Sequence, residues 1–104
     1  MKLIKFVKDL MMDAGLPEES ADVFADSLVF ADMRGISSHG VTRLAIYRKR
    51  LLTGQVSAKD EPEITASRLS LIHVDGHNTM GAPLAMWAMK ECIERAETTG
   101  ACFA

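Results

Sequence analysis

The stretch Asp32-Met33-Arg34-Gly35-Ile36-Ser37-Ser38-His39-Gly40-Val41-Thr42-Arg43-Leu44-Ala45-Ile46-Tyr47 decides how this chain is organised. Gly35 predicts that one helix ends and the chain turns, because glycine reaches backbone angles that are closed to other residues. Ser37 and Ser38 are both favourable N-cap residues, so we expect a new helix to open at or just after Ser38.

The expected helix has two opposed faces when its residues are spaced at about 100° each. One face is apolar and consists of Val41, Leu44, Ala45, Leu51 and Leu52. The other face carries His39, Arg43, Tyr47 and Arg50, with Ile46 among them. Histidine, arginine and tyrosine at four-residue steps, beginning beside a serine, are typical of a ligand-binding edge.

The chemistry of this second face favours a bound anion. A helix N-terminus presents free N–H groups and a partial positive charge, and Arg43 can hold a carboxylate through two parallel hydrogen bonds. His39 can exchange a proton near neutral pH, and Gly40 is expected to leave backbone room for a substrate. The alternative is a capped surface helix with a solvated basic face.

The pattern Asp-x-Arg-Gly-x-x-Ser-His-Gly-x-x-Arg-Leu-x-x-Tyr resembles the N-terminal signature of the type-2 malate/L-lactate dehydrogenase family. That family includes ureidoglycolate dehydrogenase, sulfolactate dehydrogenase and diketogulonate reductase. A second block, Val74-Asp75-Gly76-His77-Asn78-Thr79-Met80-Gly81, resembles the family's Asp-Gly-x-x-x-x-Gly segment. The Ser-His-Gly-x-x-Arg block is specific, whereas the second block alone would be weak evidence. The resemblance covers nearly the whole chain.

The resemblance implies an oxidoreductase that interconverts 2-hydroxy acids and 2-keto acids with NAD or NADP, on a fold distinct from the Rossmann type. It implies that His39 is a catalytic proton donor and that Ser38, Arg43 and Tyr47 contact the substrate. In some members a later histidine takes the acid/base role. The cofactor-binding residues would lie beyond Ala104. We also expect a cytoplasmic protein that forms a homodimer, since exposed apolar surface should drive self-association.

Length and composition restrict the possible classes of protein. A chain of 104 residues forms one small domain or part of a larger protein. The net charge of −2 and the pI of about 5.9 do not favour binding to nucleic acid or to an anionic membrane. The two cysteines, Cys92 and Cys102, have no metal-ligand spacing and form no disulfide framework, so a reducing cytosol fits best.

The first half of the chain predicts a bundle of three amphipathic helices over residues 1–54. The first apolar face contains Leu3, Phe6, Val7, Leu10 and Met11, and the second contains Ala21, Phe24, Ala25, Leu28 and Ala31. Pro17 is expected at the first position of the second helix, and the third helix closes near Gly54. None of these helices can bury its apolar stripe alone, so they should pack together.

The second half, residues 55–104, predicts an extended linker, a pair of short strands within 64–74 and a fourth helix that Pro83 starts. The buried stripe of that helix is expected to contain Ala82, Ala85, Met89, Cys92, Ile93 and Ala96, with Trp87 on the other side. The fold class is therefore mainly α with a small β element (α+β), and residues 55–104 begin a second domain.

The last residues, Ala101-Cys102-Phe103-Ala104, resemble the start of a buried strand. No glycine-rich phosphate loop precedes them. We expect the chain to be the N-terminal portion of a longer enzyme, since family members are roughly three times this length, a size that usually needs more than one core. Alone, the 104-residue chain should be inactive.

Two other functions can be weighed against the dehydrogenase. His73, Asp75 and His77 could place metal ligands on one face of a strand. A zinc site requires a further ligand and a closed geometry, and none is evident in the sequence, so no metal is predicted. Three short helices superficially match a helix-turn-helix module that binds nucleic acid, and the third helix carries Arg43, Arg48, Lys49 and Arg50. On the expected helix Arg48 faces away from the other two arginines, so the charges form no single stripe.

Overall fold

The computed structural model describes all 104 residues and contains four α-helices and a two-stranded antiparallel sheet. The helices are α1 (Lys2–Asp13), α2 (Glu18–Met33), α3 (Leu44–Leu52) and α4 (Gly81–Thr99), and the strands are β1 (Glu63–Ser67) and β2 (Ile72–Asp75). Two short 3₁₀ turns, Ser37–His39 and Val41–Arg43, connect α2 to α3. The prediction of a mainly helical chain with a small β element is confirmed.

The core lies among α1, α2 and α3, where each helix buries part of its apolar stripe. Met80, immediately before α4, joins the same core, and α4 packs along α2. The buried residues of this core are Val7, Met11, Leu16, Ala21, Phe24, Ala25, Leu28, Leu44, Leu51 and Met80. The first half of the chain therefore folds as the predicted bundle of helices, with the start of α4 added to it.

The predicted apolar faces of α1 and α4 are only partly buried. Leu3 and Phe6 of α1 are exposed, although Val7 and Met11 of the same stripe are fully buried. The periodic pattern indicates which face can be buried, but burial also requires a neighbour on that face, and this chain does not supply one along the whole of α1.

The predicted buried stripe of α4 is wrong for three of its six members. Ala85, Met89 and Ile93 are exposed, whereas Cys92 is buried as predicted and Ala82 and Ala96 are half-buried. Pro83, which the stripe does not include, is the other buried residue of this helix. Within this chain α2 is the only helix that packs substantially against α4, so one long apolar edge of α4 stays uncovered.

The start of α3 also differs from the prediction. The α-helix begins at Leu44 and not near Ser38, and no serine side chain caps it. The preceding turns are 3₁₀, with about three residues per turn, so the α-helical spacing assumed from Ser38 onward does not hold. As a result Ala45 is exposed while Tyr47, predicted for the polar face, is half-buried against the core.

The strand pair confirms the predicted change of period in the second half of the chain. Glu63 pairs with Asp75 and Ser67 pairs with Ile72, with an irregularity between Ile64 and Ala66. Phe103 adds one parallel bridge beside Leu71, as the Ile72 N–H donates to the Phe103 carbonyl at 2.8 Å. The predicted final strand is thus present as a single bridge, with its Phe103 side chain exposed.

None of the four helices combines the length and the apolar character that crossing a membrane requires.

Candidate active site

The turn between α2 and α3 carries three of the four predicted site residues, and Asp32 and Gly40 shape it. Gly35, at φ +76°, ends α2 as predicted. The Asp32 carboxylate then accepts a hydrogen bond from the Val41 N–H at 2.8 Å. A side chain at position 40 would overlap this carboxylate. Gly40 therefore makes room for Asp32 rather than for a substrate, which corrects the prediction.

Ser38 and His39 form a hydrogen-bonded pair on this turn. The Ser38 hydroxyl lies 2.9 Å from Nδ1 of His39, and both residues are exposed. The structure shows no partner for Nε2 of His39. A histidine whose Nδ1 is engaged by a neighbour has a fixed ring orientation and offers Nε2 for proton exchange.

Arg43 is attached to the same turn and keeps its terminal nitrogens free. Its Nε donates to the Ser38 carbonyl at 2.8 Å, and the guanidinium forms no ion pair. Arg48, by contrast, pairs with Asp13 at 2.9 Å, and Arg50 lies 5.6 Å from the centre of the Tyr47 ring. These three arginines have different neighbours and form no continuous basic stripe, which disfavours a helix-turn-helix interface.

His39 and Tyr47 meet in one cavity of about 280 Å³. The cavity lies between the middle of α2, the 3₁₀ turn, α3 and the beginning of α4. Its lining residues are Phe24, Ser27, Leu28, Ala31, His39, Tyr47, Met80, Gly81 and Ala82. Most of the lining is apolar, so a polar ligand would be oriented by a small number of groups.

Ser38 and Arg43 do not line this cavity. They are nevertheless connected to it, since the Ser38 hydroxyl contacts His39 and the Ser38 carbonyl accepts from Arg43. The structure therefore brings the four predicted residues into one contiguous group, of which two contact the cavity directly.

Two aromatic rings hold one wall of the cavity. Phe24 and Tyr47 pack edge to face, with ring centres 5.5 Å apart and an interplanar angle of 89°. Phe24 is 2% exposed, so its ring fixes Tyr47 against the core. Helix α4 begins at Gly81, which also lines the cavity, without a side-chain cap, so its first-turn amides retain a partial positive charge.

Several lining residues carry no direct signal in the sequence. The helical pattern places Phe24 only in the core, and nothing in the pattern distinguishes Ser27. The sequence does contain one signal for Gly81, because this residue follows the Asp-Gly block and directly precedes a helix. Its contact with the cavity depends on the docking of α4 against α2, which sequence periodicity does not specify.

The two histidines of the β2 region have separate partners. Nδ1 of His73 lies 2.5 Å from the Thr65 hydroxyl. His77 lies 3.1 Å from Glu63 through Nε2 and 3.7 Å from Asp75 through Nδ1. These exposed pairs support the strand connection and take no part in the cavity.

Two larger concave surfaces exist elsewhere on the molecule. One is an apolar groove of about 760 Å³ along α2 and α4, and the other is an open polar surface of about 740 Å³ beside Arg95. Neither is lined by a histidine or by any of the predicted site residues. We therefore base the functional argument on the smaller cavity that contains His39.

Comparison with known proteins identifies the sequence family. The sequence pattern that defines the malate/L-lactate dehydrogenase family matches residues 1–104. The chain is 38% identical over 99 residues to a malate dehydrogenase from Pyrococcus abyssi, covering 95% of this chain and 27% of that protein. It is 34% identical over 97 residues to an L-sulfolactate dehydrogenase from Methanothermobacter thermautotrophicus, covering 93% of this chain and 28% of the relative.

Solved structures show the same similarity in three dimensions. The malate dehydrogenase of Pyrococcus horikoshii superposes with a TM-score of 0.91 at 35% identity, covering 94% of this chain and 28% of that one. The sulfolactate dehydrogenase of Methanocaldococcus jannaschii gives a TM-score of 0.89 at 30% identity, with 93% and 28% covered. This chain thus spans little more than a quarter of the length of the relatives it matches.

Proposed function

Because the chain belongs to the malate/L-lactate dehydrogenase family, we propose that it forms the substrate-binding part of an oxidoreductase that interconverts 2-hydroxy acids and 2-keto acids. One observation carries the proposal. The turn of the Ser-His-Gly-x-x-Arg motif holds a histidine with a free Nε2 in a small cavity, beside an arginine with free terminal nitrogens.

His39 is the proposed catalytic acid/base. When a 2-keto acid is reduced, its carbonyl oxygen gains negative charge, and a proton donor beside that oxygen lowers the barrier. The Ser38 hydroxyl engages Nδ1, so Nε2 is the nitrogen that would give the proton to the oxygen. In the reverse direction the same nitrogen would accept the proton of the substrate hydroxyl.

Arg43 is the proposed clamp for the substrate carboxylate. Its Nε is used by the Ser38 carbonyl, which leaves both terminal nitrogens to donate to carboxylate oxygens. The uncapped beginning of α4 at Gly81 adds positive potential to the cavity that His39 and Tyr47 line. Tyr47 closes the cavity through the ring that Phe24 supports. With the carboxylate held, the carbonyl keeps one orientation, which reaction requires.

The cavity size supports a small acid as substrate. At about 280 Å³ it lies just below the range found for sites that bind drug-sized ligands, roughly 300–1,000 Å³. Malate, lactate, sulfolactate and ureidoglycolate are acids of this class. The relatives and the family resemblance indicate these four acids. For this chain we propose small 2-hydroxy and 2-keto acids as the substrate class, and no single acid within it.

The hydride of such a reaction is exchanged with a nicotinamide cofactor, NAD or NADP. The residues of this chain do not fit the phosphates of that cofactor, because no glycine-rich loop precedes a helix N-terminus in the required spacing. We therefore assign this chain to the substrate side of the reaction and derive no step through the cofactor. A fold distinct from the Rossmann type remains part of the proposal.

The organisation of the protein is also proposed. Residues 1–54 would form a substrate-binding unit and residues 55–104 would begin a second domain, with Met80 packed into the core of the first. A homodimer is supported by the exposed apolar groove along α2 and α4. A cytoplasmic location is supported by two cysteines that remain free thiols.

The test of the proposed function is turnover by the full translation product of the gene. The purified protein is mixed with NADH or NADPH and a panel of 2-keto acids, and oxidation of the reduced cofactor is followed by absorbance. The proposal predicts saturable turnover with at least one acid that carries a carboxylate next to the ketone. Turnover of simple ketones alone, or of no compound in the panel, would contradict it.

A further inference from the structure

We propose that Asp32 is a positioning residue for the site, which holds the turn carrying Ser38, His39 and Arg43 in its working geometry. The inference rests on the proposed function, since that function gives those three residues their roles. Asp32 itself does not line the cavity. It would act through the backbone of the turn rather than by touching a substrate.

The first observation is the pairing of the Asp32 carboxylate with the turn. Oδ2 of Asp32 accepts from the Val41 N–H at 2.8 Å, across nine residues of chain. The other oxygen lies over Gly40, where even a methyl group would overlap it. Gly40 is buried and Asp32 is half-buried, so this contact is largely withdrawn from solvent.

The second observation is that the Val41 N–H has no backbone acceptor. Neighbouring amides of the turn are bonded locally: His39 donates to the Ile36 carbonyl at 3.0 Å, and Arg43 donates to the Gly40 carbonyl at 2.9 Å. Val41 follows Gly40, at the point where the first 3₁₀ turn ends and the second begins. Asp32 thus satisfies the amide donor at the first residue of the second turn.

The third observation is the location of an acid near the end of α2. Asp32 lies in the last turn of that helix, where the macrodipole disfavours a negative charge. A neutral residue would suit the helix better. The carboxylate instead makes a charge-assisted bond to the turn, which is stronger than a bond to a neutral acceptor. The Asp32 carboxylate therefore stabilises the turn and not the helix to which it belongs.

The link from Asp32 to His39 is short. His39 immediately precedes Gly40, and its ring is oriented by Ser38 one residue earlier. If the Val41 amide loses its acceptor, the two 3₁₀ turns can rotate about Gly40 and displace the imidazole from the cavity. A misplacement of about 1 Å is enough to reduce a rate by about 10²-fold.

The experiment compares four variants in the full translation product. Asp32→Asn keeps an acceptor at the same length, Asp32→Glu keeps the charge but is too long for the space over Gly40, and Asp32→Ala removes the acceptor. Asp26→Ala is the matched control, because Asp26 lies on the same helix, is exposed, forms no ion pair or hydrogen bond, and lines the apolar groove rather than the cavity that contains His39. Steady-state kcat and KM are measured together with thermal unfolding.

We expect Asp32→Ala and Asp32→Glu to lower kcat by about 10²-fold, and Asp32→Asn to retain kcat within a few fold of the parent. KM should change less than kcat in all three, and Asp26→Ala should match the parent. Equal kcat values for Asp32→Ala and Asp26→Ala would overturn the inference. So would Asp32→Asn with the same loss as Asp32→Ala, because the hydrogen bond would then be irrelevant.

A second readout separates this inference from the proposed function. NMR spectra of the chain report the Val41 amide and the His39 ring without any turnover. We expect the His39 ring resonances to move in Asp32→Glu and to stay in place in Asp26→Ala. Unchanged His39 resonances in Asp32→Glu would overturn the positioning role even if the enzyme is active. Shifted resonances in a protein with no turnover would contradict the proposed function alone.

Discussion

Replacing Arg43 by lysine should weaken substrate binding more than it slows the reaction. In the structure the Arg43 Nε is bonded to the Ser38 carbonyl, and the two terminal nitrogens are free to bind a carboxylate in parallel. A lysine offers one point charge and no second donor in the same plane. The Arg43→Lys variant therefore keeps the charge and loses one of the two bonds to the substrate.

The size of the effect follows from the lost hydrogen bond. A bond to a charged group contributes about 1.5–3 kcal/mol. Since each 1.4 kcal/mol is tenfold in an equilibrium constant, KM should rise about 10- to 100-fold. Lysine also lacks the Nε bond to the Ser38 carbonyl, but the Ser38 hydroxyl still orients His39, so kcat should stay within a few fold of the parent. A rise in KM at constant kcat is the mark of binding that is equal in ground and transition state.

The assay is steady-state kinetics on the full translation product with a panel of 2-keto acids. Arg48→Lys is the matched control, because Arg48 pairs with Asp13 and forms no hydrogen bond with Ser38 or His39. Both variants retain the net charge, so a general electrostatic effect would change them alike. The reasoning is refuted if Arg43→Lys leaves KM unchanged, or if kcat falls while KM stays constant.

Three further predictions concern the chain outside Arg43. Met89→Lys should reduce self-association in light scattering, because Met89 is exposed in the apolar groove along α2 and α4. Leu69→Lys should not reduce it, because Leu69 is 83% exposed but lies outside the groove, and equal association of the two variants would argue against a dimer through this groove. Burial, together with a hydrogen bond to the Cys102 thiol, raises the pKa of Cys92, so a smaller fraction of Cys92 than of an ordinary thiol is thiolate near neutral pH. Iodoacetamide should therefore label Cys102 before Cys92, as followed by mass spectrometry, and equal labelling rates of the two thiols would refute this prediction. The chain of 104 residues alone should reduce no 2-keto acid with NADH or NADPH, and saturable turnover by purified 1–104 would disprove that.

Features fixed by short-range chemistry were predictable from the sequence. Gly35 ends α2 with a positive φ, as its glycine indicated, and the change of period after Pro62 correctly predicted β1 and β2. The Ser-His-Gly-x-x-Arg spacing also identified the turn on which Ser38, His39 and Arg43 are joined by hydrogen bonds. In each case the deciding residues lie close together in the chain.

Features fixed by distant contacts were not predictable. Two serines suggested an N-cap near Ser38, but the Asp32 carboxylate binds the Val41 amide across nine residues, and two 3₁₀ turns precede α3 instead. These turns change the direction in which the following side chains point, so Tyr47 packs against Phe24 and not on the predicted polar face. For α4, the periodicity identifies the residues of an apolar stripe. Which of these residues become buried depends on where α2 packs against the helix, and α2 leaves Met89 exposed.

The measurement that tests the central claim most directly is kcat of His39→Ala in the full translation product, at saturating 2-keto acid and reduced cofactor. His73→Ala serves as the control, because His73 lies on β2 beside Thr65 and outside the cavity. Loss of a general acid predicts a fall in kcat of about 10²–10⁴-fold for His39→Ala and no comparable change for His73→Ala. A near-normal kcat for His39→Ala would contradict the account, since the proton would then come from another group and His39 would only bind substrate.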